Sequence, residues 1–78
     1  MRSSFEIIAE ILDVTKNGAK KTRIMYSCGL SYKFVQKYLK LLLKTDLLIS
    51  GNDYHTTKKG IWFLRKYQRL ELLMNTRN

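Results

Sequence analysis

Apolar residues recur along this chain at two kinds of spacing. Phe5, Ile8, Leu12 and Thr15 fall at i, i+3, i+7 and i+10, with Ile7, Ile11 and Val14 beside them, which is the stripe of an amphipathic helix. Ser3-Ser4-Phe5-Glu6 ahead of it has the Ser-x-x-Glu spacing of a capping box, where each side chain satisfies an orphan backbone donor. This helix is expected to end near Asn17-Gly18, since glycine accepts a left-handed stop. Thr22 is placed to cap a short second helix over residues 23–28, broken at Gly29-Leu30. Ser31 then caps a third helix running to about Thr45. Two helices joined by a tight glycine-containing connection outline a helix-turn-helix, here at about 22–45.

The period then shortens. Residues 47–50 and 54–56 read as two short strands joined by Gly51-Asn52-Asp53. A lone hairpin is marginal in water, so this one must lie against the helices. A last helix is predicted from Thr57 or Lys58 to about Met74. The expected fold is mainly α with a small β-hairpin, one domain over residues 1–78, in the order helix, helix, helix, strand, strand, helix.

Charge changes the picture from fold to partner. Fifteen Lys and Arg against six Asp and Glu give a net charge of +9, more than solubility requires, and point to a polyanion. Between Val14 and Thr45 stand Lys16, Lys20, Lys21, Arg23, Lys33, Lys37, Lys40 and Lys44, with no acid among them. At about 100° per residue, Gln36, Lys37, Lys40 and Lys44 fall within about 60° of Lys33 on the third helix. Val35, Tyr38, Leu39 and Leu42 occupy the opposite half. Lysines at such spacing often form only a solvated face. Solvated faces, however, usually mix signs, because like charges at i, i+4 repel by a few tenths of a kcal/mol. Half of the acid, Glu6, Glu10 and Asp13, lies on the polar stripe of the first helix, which is expected to face away from a polyanion.

Within the cationic stripe the expected roles differ. Lysines suit phosphate or guanine acceptors, while Gln36 carries the one amide able to pair with adenine in a major groove. Ser31, Tyr32 and Lys33 stand at the start of the helix, where base edges or backbone are met. Lys20, Lys21 and Arg23 are placed to hold phosphate. Tyr26, Tyr32 and Tyr38 could stack on bases, but beside leucines at helical positions they read as core or rim. Cys28 reads as a small core residue and His55 as a surface histidine.

Other chemistry finds no footing. One cysteine and one histidine make neither an internal disulfide nor a zinc set. Paired carboxylates, a nucleophile with its base, and a phosphate-cradling glycine loop are not visible, so neither an enzyme nor a cofactor or small-molecule site is expected. No apolar run approaches the ~20 residues that span a bilayer, and no signal peptide is read at the N-terminus. The expected setting is cytoplasmic and nucleoid-associated.

Lys21-Thr22-Arg23-Ile24-Met25-Tyr26, then Leu30-Ser31-Tyr32, then Lys37-Tyr38-Leu39 resemble archaeal winged helix-turn-helix DNA-binding proteins. The likeness is greatest to small Sulfolobus chromatin-type proteins with a coiled-coil tail and to regulators carried by crenarchaeal plasmids and viruses. Tyr54-x-x-Thr57-x-Lys59-Gly60 followed by Phe63-Leu64 is similar to the segment leading from the wing into their last helix. The resemblance implies duplex DNA binding, with the third helix in the major groove, residues 47–57 as the wing and 58–75 as the C-terminal helix. Two departures stand out: the wing has no Lys or Arg and carries Asp53, and Thr56 replaces an apolar residue.

Phe63, Tyr67, Leu70 and Met74 fall at i, i+4, i+7 and i+11, with Leu73 alongside, a seam of under two heptads. It either extends the packing of the last helix on the first or pairs two copies as a homodimer, in solution or only on DNA. The function expected is a double-stranded DNA-binding transcriptional regulator, a repressor or autoregulator. The alternatives are an architectural chromatin-type protein with little sequence preference, a winged-helix protein-interaction module, and an RNA binder.

Overall fold

The capping box forms in the computed structural model, which describes residues 2–75. Ser3 Oγ accepts the Glu6 amide at 3.1 Å, and the Glu6 carboxylate accepts the Ser3 amide at 2.8 Å. Helix α1 spans Ser4–Val14 and stops short of the expected glycine. Thr15 is the reason. Its amide and its hydroxyl both reach back to the Ile11 carbonyl, at 3.0 and 2.8 Å, which closes the last turn. Gly18, with φ 92°, shapes the connection that follows, and His55 fills the space where a Cβ would stand.

Helix α2 spans Lys21–Cys28, so it begins before Thr22, and no side chain caps it. The cause lies far along the chain. Ala19 donates to the Tyr54 carbonyl at 3.0 Å and accepts the Tyr54 amide at 2.9 Å, a single antiparallel bridge that holds Ala19 extended. Lys20 is extended too, and the helix starts directly after it. At the other end Gly29 (φ 61°) turns left-handed, while Leu30 donates to Met25 O at 3.0 Å and Gly29 to Tyr26 O at 3.3 Å. This is the Schellman pattern that closes a helix on glycine. Ser31 then caps α3, Tyr32–Lys44, by accepting the Phe34 amide at 3.3 Å. The same closing pattern ends α3, with Asp46 at φ 65° in the place of glycine.

Strands β1, Leu48–Ser50, and β2, Tyr54–Thr56, pair antiparallel with Leu48 opposite Thr56, Ile49 opposite His55 and Ser50 opposite Tyr54. Helix α4 runs Lys58–Asn75. Ile8, Ile11, Leu12, Ile24, Val35, Leu39, Leu42, Leu48 and Leu64 form one core that every element except β2 and its turn enters directly. Gly60 sits in the first turn of α4 because a Cβ there would collide with the Leu47 carbonyl oxygen. At 1.5 Å per residue α4 is about 27 Å long and α1 about 16 Å, so α4 outruns its support. Among the described residues no helix is long and apolar enough to cross a membrane.

Candidate nucleic-acid interface

Two turns of backbone geometry decide where the cations point. The Schellman turn at Gly29 sets α3 across α2, and the burial of Val35, Tyr38, Leu39 and Leu42 fixes its rotation. Tyr38 is further tied to α1 by a hydrogen bond from its hydroxyl to Ser4 Oγ at 3.2 Å. Lys33, Gln36, Lys37, Lys40 and Lys44 are all exposed as a result. Among the described residues none of these four lysines forms an ion pair; the ion pairs join Arg2 to Glu10, Lys16 to Asp13 and Lys20 to Asp53. Between α3 and β2 runs a shallow groove of about 480 Å³, lined by Gln36, Lys37, Lys40, Leu43 and Tyr54.

The start of α2 forms a second basic group beside this row. Lys20 reaches the wing tip, pairing with Asp53 at 2.9 Å and donating to the Asn52 carbonyl at 3.1 Å. Lys21 points the other way. Its ammonium donates to Gln36 Oε1 at 2.6 Å and stands 5.4 Å from the centre of the Tyr32 ring. Arg23 is exposed in a groove it shares with Lys20, Thr22 and Tyr26. The uncapped first turn of α2 leaves its amides and the positive end of the helix dipole beside these cations, a setting that favours an anion. Ser31 accepts the Phe34 amide in the α3 cap and keeps its own proton to donate.

The tyrosines divide. Tyr38 is buried as expected, but Tyr26 is 78% exposed and Tyr32 58% exposed, so neither belongs to the core. Both stand on the α2–α3 side that the apolar stripe of each helix turns away from. Tyr54 was not singled out as a site residue, because only its long-range bridge to Ala19 brings it to the foot of α3. Acid is kept elsewhere: Glu6, Glu10, Asp13 and Glu71 line a groove between α1 and α4, four of the six acidic residues of the chain. Tyr67 is partly buried there, and its hydroxyl is held above its ordinary pKa by desolvation and then by Glu71, Glu6 and Glu10. Among the described residues no group of three His, Cys, Asp or Glu is placed to hold a metal ion.

A helix-turn-helix followed by a hairpin and a closing helix is also what the comparisons with known proteins return. The family model described as winged helix-turn-helix matches residues 1–75. The chain belongs to the winged helix-turn-helix family. Among solved structures, this winged helix is similar to Sso10a-2, a DNA-binding protein from Sulfolobus solfataricus. The TM-score is 0.81 at 26% sequence identity, over 94% of this chain and 82% of that one. Two uncharacterized proteins of Methanocaldococcus jannaschii are similar in sequence. MJ0287 is 32% identical over 78 residues, covering 97% of this chain and 80% of its own. MJ0290 is 35% identical over 71 residues, covering 88% of this chain and 34% of its own, so this winged helix spans about a third of it.

The winged helix carries a second feature away from its cations. Phe63 and Tyr67 pack partly against the core, and the Phe63 ring lies 6.3 Å from that of Phe5. Past Tyr67 the seam leaves α1: Leu70 is 61% exposed, and Leu73 and Met74 are exposed as well. Leu70, Leu73 and Met74 are therefore not buried against α1. Phe5, Trp62, Phe63, Tyr67, Leu70 and Met74 instead line an open apolar groove of about 520 Å³.

Proposed function

We propose that this winged helix is a double-stranded DNA-binding transcriptional regulator, a repressor or autoregulator, that seats α3 in the major groove. The observation that carries the reading is the exposed row Lys33, Lys37, Lys40 and Lys44, which has no ion-pair partner among the described residues. Four like charges along one helix face repel one another, and a polyanion relieves that repulsion while releasing its own counterions. At about 1.5 Å per residue the thirteen residues of α3 extend about 20 Å, a length and width that the major groove admits. The description of Sso10a-2 as a DNA-binding protein supports the same partner.

Lys20, Lys21 and Arg23 at the head of α2 hold backbone phosphate beside the groove. Ser31, Tyr32 and Lys33 meet the duplex at the start of α3, and Gln36 with Lys37 lies deepest. The wing contributes differently from a cationic minor-groove arm. It has no Lys or Arg, and its Asp53 holds Lys20 in place. Two copies join through Phe63, Tyr67, Leu70, Leu73 and Met74, burying the apolar groove on α4 and setting two recognition helices on one duplex.

Fluorescence anisotropy of labelled duplexes over a salt series tests this reading. About six neutralised phosphates give a slope of log K against log salt near −5. Footprinting on the DNA flanking its own gene then tests for a preferred site. Binding that ignores salt points to a protein-interaction module. Equal affinity for random duplex points to an architectural role.

A further inference from the structure

Gln36 does not stand free on α3. The Lys21 ammonium bonds it at 2.6 Å, and because an ammonium carries only donors, the atom it holds is necessarily the amide oxygen. Lys21 is itself fixed, half-buried and set 5.4 Å from the centre of the Tyr32 ring. The Gln36 oxygen therefore faces α2, and its NH₂ group is the end left for a ligand. The neighbours on the row, Lys33, Lys37 and Lys40, also present donors and no acceptor.

This matters for what the helix can read. Glutamine selects adenine by using both ends of its amide, accepting from N6–H₂ and donating to N7. The oxygen keeps a second lone pair, but the bond to Lys21 turns it toward α2, so the amide presents its NH₂ end to the groove and not the two-ended face that adenine requires. A face of donors alone matches guanine, which places two adjacent acceptors, O6 and N7, in the major groove. Adenine there offers one acceptor and one donor. The expectation from sequence that Gln36 pairs with adenine therefore reverses once Lys21 is in place.

We propose that Lys21 is a specificity-determining residue that acts through Gln36: by holding the amide oxygen it makes the centre of α3 a donor-only surface that selects guanine over adenine. The assignment rests on the reading of α3 as a duplex-binding helix. It gives Lys21 a positioning role in addition to its phosphate contact.

Selection from a randomised duplex library, with sequencing of the bound fraction, tests it on the full chain. Wild type enriches guanine at the central contacted position. Lys21→Met keeps an apolar stem beside Tyr32 but frees the oxygen, and shifts that position toward adenine by on the order of tenfold. Lys21→Arg retains the donor and the guanine preference. The double variant Lys21→Met/Gln36→Ala loses the adenine gain, whereas a purely electrostatic Lys21 would leave base preference untouched in every variant. If Lys21→Met weakens all duplexes alike with the base preference unchanged, the proposal is overturned and duplex binding stands. If wild type shows no base preference the proposal is overturned while duplex binding stands, and if it retains no duplex at all the underlying reading falls with it. Thermal melting monitored by circular dichroism establishes that each variant folds.

Discussion

The side-chain hydroxyls of Thr15 and Thr56 lie 2.8 Å apart although 41 positions separate them. Thr56 Oγ1 spends its one proton on the Leu12 carbonyl at 2.6 Å, so within the pair Thr15 is the donor, and the second strand of the wing finishes the C-terminal turn of α1. Thr15 is fully buried and has no access to water. Replacing Thr56 by Val keeps the shape but strips a hydrogen-bond partner from a buried hydroxyl and a helix-end carbonyl. Chemical denaturation should show a loss of about 1–3 kcal/mol. Because the two hydroxyls share one network, Thr15→Val/Thr56→Val should cost less than the sum of the single changes. Strict additivity would mean the pair is not coupled.

That pair also marks where reading the chain by period reaches its limit. Ser3 with Glu6, Gly29, and Ser31 were legible because a cap involves residues three or four apart. The cationic face of α3 was legible for the same reason, since both its buried and exposed sides belong to one local pattern. Thr15 sat on the apolar stripe of α1 and was correctly expected to face inward. Its hydroxyl finds the Ile11 carbonyl within its own turn, but its other partner, Thr56, lies 41 positions on, at the wing's departure from an apolar residue. The early start of α2 depends on the bridge between Ala19 and Tyr54, and the hold of Lys21 on Gln36 spans 15 residues. Gly60 of the wing-to-helix motif is a place where α4 crosses the Leu47 backbone, a close approach with no local signal. Tyr26 and Tyr32 read as core or rim because aromatic rings beside leucines usually are, and their exposure excludes the core.

The Lys20–Asp53 contact sets a limit on how strongly the head of α2 draws phosphate. Lys20 is mostly exposed, so the pair itself is worth little, roughly 0–1 kcal/mol. Removing the Asp53 charge also removes a repulsion near the duplex. Asp53→Asn should therefore tighten duplex binding by about two- to fivefold at low salt, with the gain fading as salt rises. Lys20→Ala in the Asp53→Asn background should erase most of it. Anisotropy titrations of wild type, Asp53→Asn, Lys20→Ala and the double variant decide the matter, and an affinity unchanged by Asp53→Asn would show that the wing tip does not modulate binding.

Cys28 offers a test of the core that needs no DNA. Burial first, then Glu10 and Asp13 against the opposing Arg2, pushes its thiol from 9.0 up to about 11. A folded pKa above the unfolded one means that the native state holds its proton longer. The associated stability is thus fully present below pH 9 and is lost as pH rises through about 11. At pH 8 the side chain, 2% exposed, should resist an alkylating reagent and react only on unfolding. Denaturation midpoints measured from pH 8 to pH 11 should fall in the wild type and fall less steeply in Cys28→Ala. Rapid labelling of the native protein at pH 8 would contradict this burial.

The seam on α4 yields the last prediction. A charge at Leu70 or Met74 should leave the fold intact, because both side chains are exposed and the core contact of α4 runs through Leu64. It should still abolish pairing, since two carboxylates brought into an apolar contact must be desolvated without a partner. Sedimentation equilibrium of wild type, with and without a duplex, should give twice the chain mass in at least the bound state. Leu70→Glu/Met74→Glu should sediment as a monomer, melt within about 0.5 kcal/mol of wild type, and bind duplex without cooperativity. Identical mass and identical cooperativity for the two proteins would leave the α4 groove without a role in assembly, and the recognition helix would then act one copy at a time.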